Sequence, residues 1–83
     1  MNRRQKKLLE TINTNPISGN IRWLDIEFLF VSLGAEIVEG KGSKIAVVLN
    51  NQVAVFHRPH PRKEADKGAV KATRDFLKQT GVV

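Results

Sequence analysis

Apolar residues fall into a few phased groups separated by polar stretches. Leu8, Leu9 and Ile12 recur at helical spacing on an otherwise polar segment, so residues 3–13 read as a short amphipathic helix. Asn13-Thr14-Asn15-Pro16 stops it, and Ile17-Ser18-Gly19-Asn20 continues the turn. A second helix lies within residues 21–33. Asn20 is one candidate N-cap; alternatively Ile21-Arg22-Trp23 is extended and the helix starts near Leu24. Asp25 and Glu27 stand in its first turns, where the helix dipole favours acids. Leu24, Ile26, Phe28, Leu29, Phe30, Val31 and Leu33 make it apolar nearly all round. Such a helix is expected to be covered on two sides, here by a sheet and by the first helix. Gly34 suits the position just past its end.

Strand patterns follow. Residues 35–38 form a short one that ends at Glu39-Gly40-Lys41-Gly42, and residues 44–49 are β-branched and apolar. Asn50-Asn51-Gln52 reads as a turn, after which residues 53–58 alternate. Val53, Val55 and His57 share one face, and Ala54, Phe56 and Arg58 the other. Pro59 and Pro61 end the strand. A last helix lies within residues 65–80, with Ala69, Val70, Thr73, Phe76, Leu77 and Thr80 as its apolar stripe. Glu64 and Asp66 lie near its start, and Gly81 just past its end. The predicted fold class is α+β in the order α-α-β-β-β-α, a three-stranded antiparallel meander with helices on one face. Its core order α-β-β-β-α is the double-stranded-RNA-binding-domain (dsRBD) topology. Residues 1–16 read as an N-terminal helical extension of a domain over 17–83, the whole forming one compact unit.

Composition narrows the function. Eighty-three residues make one small core. There is no cysteine, which excludes disulfides, thiolate zinc sites and Cys nucleophiles. No stretch approaches the ~20 apolar residues of a membrane span. The basic N-terminus is not followed by the apolar run of a signal peptide. The reading is therefore a whole mature chain in the cytoplasm. Fourteen Lys and Arg against eight Asp and Glu leave a net charge of +6, which favours an anionic partner. The excess is uneven. Residues 14–40 are net acidic, whereas residues 41–63 hold Lys41, Lys44, Arg58, Arg62 and Lys63, both histidines, and no acid.

An ordered series of short motifs sharpens this. Leu33-Gly34-Ala35, Gly42-Ser43, a hairpin, Val55-Phe56-His57-Arg58-Pro59-His60-Pro61, Lys67-Gly68-Ala69-Val70 and Leu77-Lys78-Gln79-Thr80-Gly81-Val82 together resemble the HicA family. These are small mRNA-interferase toxins of bacterial type II toxin–antitoxin pairs. The resemblance covers roughly residues 21–83. It implies a dsRBD-like fold, an mRNA substrate and neutralisation by a HicB antitoxin. It also implies cleavage through a histidine that follows the Gly-Ser of the second strand. In this chain Gly42-Ser43 is followed by Lys44, so that imidazole does not carry over. His60-Pro61 and Gly68 do.

Metal-free RNA cleavage needs a base for the 2′-OH, an acid for the leaving 5′-oxygen and a cation for the phosphorane. His57 and His60 suit the proton transfers, and Lys44 suits the charge. The candidate catalytic set is therefore His57, His60 and Lys44. Candidate RNA contacts are Lys41, Ser43, Lys44, Arg58, Arg62, Lys63, Lys67 and Lys71. No cofactor is expected, and no metal, since no carboxylate lies inside residues 41–63 to complete a two-histidine site. Plainer readings stand beside these. His60 can simply shape the loop into the last helix, His57 can be a half-buried strand residue, and Lys44 a solvated one. Trp23 beside Arg22 is either a core residue or a base-stacking platform, with the core favoured by the apolar helix it begins. Arg3, Arg4, Lys6 and Lys7 either contact phosphates or form a solvated terminus. The alternatives to a nuclease are a non-catalytic RNA-binding module on the same fold and a basic protein–protein adaptor.

Overall fold

The computed structural model describes residues 1–82. Its elements are α1 (Arg3–Ile12), α2 (Trp23–Ser32), β1 (Glu36–Glu39), β2 (Lys44–Leu49), β3 (Gln52–His57) and α3 (Lys67–Gln79). The sheet has the order β1-β2-β3 with antiparallel neighbours. This is the α+β, dsRBD-like architecture expected from the pattern. Element ends shift by a residue or two, with β1 running over 36–39 and β3 over 52–57.

Each element follows from local chemistry. Asn2 caps α1: its side chain accepts from the Gln5 backbone N–H at 2.8 Å, and Gln5 reciprocates. Asp66 caps α3 through the Ala69 N–H at 2.7 Å. Past α2, Gly34 sits at φ 92, and the Gly34 and Ala35 N–H groups return to the Val31 and Phe30 carbonyls. That is a Schellman closure, which requires the left-handed residue glycine supplies without strain. Asn50 and Asn51, at φ 51 and 64, make a two-residue hairpin turn whose twist matches the strands. A side-chain bond from Asn50 Nδ2 to the Thr80 carbonyl at 2.7 Å ties that turn to the end of α3.

The start of α2 settles the choice left open by the sequence. Asn20 is not the cap. Ile21 and Arg22 are extended and pair with the chain before α3: Ala65 N–H donates to Ile21 O at 2.7 Å, and Trp23 N–H to Lys63 O at 2.9 Å. These backbone bonds hold Arg22 in extended geometry, so the helix begins at Trp23.

The helices pack on one face of the sheet. Trp23, Ile26, Leu29 and Phe30 of α2, Ile45, Val47 and Leu49 of β2, Phe56 of β3 and Val70, Phe76 and Leu77 of α3 form the core. Phe30 is its hinge point, with ring centroids 5.8 Å from Phe56 and 6.0 Å from Phe76. Ile12 of α1 is fully buried in the same core. Arg74 of α3 holds the end of α1 by donating to the carbonyls of Ile12 and Thr14, both at 2.9 Å.

One expectation is corrected. The sheet and α1 both pack against α2, but their cover is incomplete, because Leu24, Phe28 and Val31 are 60%, 64% and 55% exposed. The short α1 spends its apolar residues Leu8, Leu9 and Ile12 on the core and leaves that stripe bare.

Candidate functional site

The opposite face of the sheet is uncovered among the described residues, and Lys44 and His57 stand at one end of it. They are paired Cα partners, Lys44 opening β2 and His57 closing β3. The next rung out is closed by a hydrogen bond from Arg58 N–H to Ser43 O at 2.9 Å. Antiparallel rungs alternate, so Lys44 and His57 form a non-hydrogen-bonded pair, the kind that brings side chains closest, with Cα atoms roughly 4.5 Å apart. Both are exposed, while their neighbours Ile45 and Phe56 are buried. Pleating therefore sends the ammonium and imidazole groups to the same, solvent-facing side. Gly40 makes the approach of this corner possible: a Cβ there would lie 3.0 Å from the Lys44 carbonyl oxygen and 3.3 Å from Lys44 Cγ.

Beneath the pair lies a polar hub. Arg58, first residue after β3, points to the helix side. Its Nε and one terminal nitrogen grip Glu27, both at 2.9 Å, and its terminal nitrogens grip Glu39 at 2.7 and 2.8 Å. Glu27 also accepts from Trp23 Nε1 at 2.6 Å. Two forked carboxylate pairs on one guanidinium raise the Arg58 pKa still further, Glu27 contributing most, and the Arg58 hydrogen bonds hold Glu39 below the usual carboxylate range. The hub joins α2, β1 and the end of β3, fixing the segment that carries His57.

The remaining candidates distribute around this corner. Lys41 and Ser43 lie exposed in the β1–β2 connection, and His60, Arg62 and Lys63 lie exposed in the loop after β3. The His60–Pro61 peptide is cis. Side chains of Lys44, His57 and His60 make no hydrogen bond to another described residue. Arg62 reaches Glu64 only at 3.9 Å, and Lys41, Lys44 and Lys63 make no ion pair among the described residues. Lys67 and Lys71 belong to α3, on the helix side. Lys71 pairs with Asp75 at 2.8 Å, and Lys67 leans on the Gly19 turn. Lys41, Ser43 and Lys44 are therefore grouped at the sheet corner with His57, while Lys67 and Lys71 stand on another layer. Arg58, expected on a phosphate, has its guanidinium turned into the two carboxylates.

Trp23 is 2% exposed, which gives it the core role rather than the stacking one. Sequence reasoning missed the functions of Glu27 and Glu39. The one available signal was Glu27 on the core-facing side of α2, where a carboxylate needs a partner, though the sequence does not say which.

No helix among the described residues is long and apolar enough to cross a membrane. No curated protein and no solved structure matches the chain. A family model does: that of the HicA toxin of bacterial toxin–antitoxin systems, over residues 23–82. The match spans α2 through the end of α3, the elements that build the sheet corner and its loop. The chain belongs to the HicA toxin family.

Proposed function

We propose that this chain is a metal-independent endoribonuclease that cleaves mRNA in the cytoplasm, inhibits translation and is neutralised by a HicB-like antitoxin. The observation that carries the reading is the Lys44–His57 rung. HicA proteins are thought to use a histidine where this chain has Lys44. His57 stands directly across the strands from that position, one cross-strand step of about 5 Å away. An imidazole is thus offered to nearly the same space from the neighbouring strand, with an ammonium beside it.

In the proposed reaction, His57 takes the proton of a ribose 2′-OH, and the 2′-oxygen attacks the adjacent phosphorus. The P–O5′ bond breaks, and His60 delivers a proton to the departing 5′-oxygen. The products are a 2′,3′-cyclic phosphate and a 5′-hydroxyl. Lys44 balances charge on the phosphorane. Lys41, Ser43, Arg62 and Lys63 contact flanking phosphates, while Lys67 and Lys71, on the helix side, stand apart from that path. Arg58 acts through the hub, orienting the strand end.

The test is incubation of a transcript with purified protein in EDTA, for wild type, His57→Ala and His60→Ala. Cleavage by wild type and a loss of at least about 100-fold in His57→Ala is the expected result. An intact transcript with wild type sinks the nuclease reading. Equal cleavage by both variants sinks the residue assignment. Lys44 itself favours a second reading, RNA binding without cleavage. It predicts affinity for RNA that falls steeply with salt in the absence of cutting.

A further inference from the structure

The uncovered stripe of α2 borders a groove that the sheet corner does not use. It runs between the start of α2 and the loop after β3, with a volume near 430 Å³. Leu24 and Phe28 form one apolar wall, Pro59 and Pro61 the other, and Trp23 closes the floor. Arg22, Arg62 and Lys63 line it as exposed cations. Arg58 also borders it but is neutralised by Glu27 and Glu39. Asp25, the one acid in the lining, lies 3.7 Å from Arg4.

We infer that this groove is a docking site for an acidic amphipathic helix of another protein chain. Leu24, Phe28 and Val31 recur at i, i+4 and i+7, so the apolar stripe is about 10 Å long and straight, the footprint that a second helix laid alongside would bury. Large exposed apolar residues rimmed by charge mark interaction sites on small domains. The rim selects the occupant. Three cations at one end of the stripe complement acids flanking the apolar anchors of a partner helix. A second copy of this chain fits poorly. Of its helices, α1 carries Arg3, Arg4, Lys6 and Lys7 and α3 carries Lys67, Lys71 and Lys78, which would repel the rim, and a pairing of α2 with α2 is the dimer that the test below detects. Binding to a lipid surface is the other outcome, which the vesicle arm of the test reads. The inference deepens the antitoxin half of the reading above, and rests on it only for the identity of the partner. The loop that walls the groove also carries His60, so an occupant would take Arg62 and Lys63 away from phosphates.

The test uses a helix-stapled peptide with Leu at i, i+4 and i+7 and Glu on both flanks. Its controls are the same peptide with Lys for Glu and a scrambled acidic peptide. Trp23 is the sole tryptophan and closes the groove floor, so its fluorescence is read alongside calorimetric titration, which measures occupancy directly. The acidic amphipathic peptide should shift that emission and bind at least about tenfold more weakly to Phe28→Ser and to the Arg62→Glu, Lys63→Glu double variant. Phe28 is exposed, so near-ultraviolet circular dichroism of the serine variant should match wild type. Equal binding of the scrambled peptide, or binding indifferent to Phe28→Ser, overturns the inference. So does a wild-type dimer that Phe28→Ser dissociates, or binding to anionic vesicles in place of the peptide. Transcript cleavage reads the sheet corner and peptide fluorescence reads the groove, so either reading can fail while the other stands.

Discussion

Arg58 grips the carboxylate of Glu27, 31 residues away in the chain, through two hydrogen bonds of 2.9 Å. The same carboxylate holds the indole of Trp23, so one ion pair locks the largest core side chain of α2 to the end of β3. Removing the guanidinium leaves a nearly buried carboxylate without its counter-ion. Arg58→Ala is therefore expected to destabilise the fold by about 2–3 kcal/mol, lowering Tm by about 10 °C or more. Arg58→Lys should rescue little, since an ammonium cannot fork to two carboxylates. Urea denaturation of the three proteins decides it. An unchanged midpoint in Arg58→Ala would show that the hub holds nothing together.

Acid should weaken the fold through the same hub and through the Lys71–Asp75 pair of α3. Arg58 holds the folded-state pKa of Glu39 below its ordinary value, and Lys71 does so for Asp75. A carboxylate with a depressed folded pKa adds stability above its unfolded pKa, near 4, and that stability disappears as pH falls through the folded value. Thermal midpoints should therefore be level near neutrality and decline below about pH 4–5. In Arg58→Ala the Glu39 share of that decline should vanish and the acid limb should flatten. An unchanged limb would place the acid sensitivity elsewhere.

The first helix is held to the rest by the buried Ile12 side chain, with Leu8 and Leu9 packed beside it, and by the Arg74 bonds to the carbonyls of Ile12 and Thr14. Ile12→Ala should lower stability by about 2–4 kcal/mol, the usual range for emptying a buried aliphatic site, and Arg74→Ala by about 1–2 kcal/mol. Chemical denaturation should remain a single transition in both. A separate early transition assigned to residues 1–16 would contradict this docking.

If the rung between β2 and β3 is the working unit, the imidazole should function from either side of it. The double exchange Lys44→His with His57→Lys is expected to retain transcript cleavage, whereas His57→Ala alone loses it. Single-turnover rates measure this. Activity lost in the exchange to the same degree as in His57→Ala would show that the strand of origin matters.

Where local chemistry dictates geometry, the sequence was readable. The Asn50-Asn51 pair announced the hairpin, but Gln52 belongs to β3 and not to the turn, and that one residue sets Lys44 opposite His57 rather than Arg58. Gly34 announced the end of α2, and the alternation over residues 53–57 announced which face His57 would take. Contacts decided by distant parts of the chain were not readable. Nothing near Arg58 signals that Glu27 and Glu39 will claim it, because the partners are 31 and 19 residues away. Nothing near Ile21 signals pairing with Glu64 and Ala65, so the start of α2 stayed ambiguous. The apolar surround of α2 implied cover nearly all round, and only packing reveals the stripe of Leu24, Phe28 and Val31 left bare.

The extended pairing of Ile21 and Arg22 with Glu64 and Ala65 bears on how the loop after β3 can change over evolutionary time. That loop is moored at both ends, by the carboxylates on Arg58 and by the backbone rungs at Lys63 and Ala65. His60, Pro61 and Arg62 in its interior are exposed and owe their position to the span between the moorings rather than to packing of their own. A single insertion would displace His60, whereas substitutions at constant length should leave the path of the chain unchanged. The loop is thus a span of fixed count between two moorings.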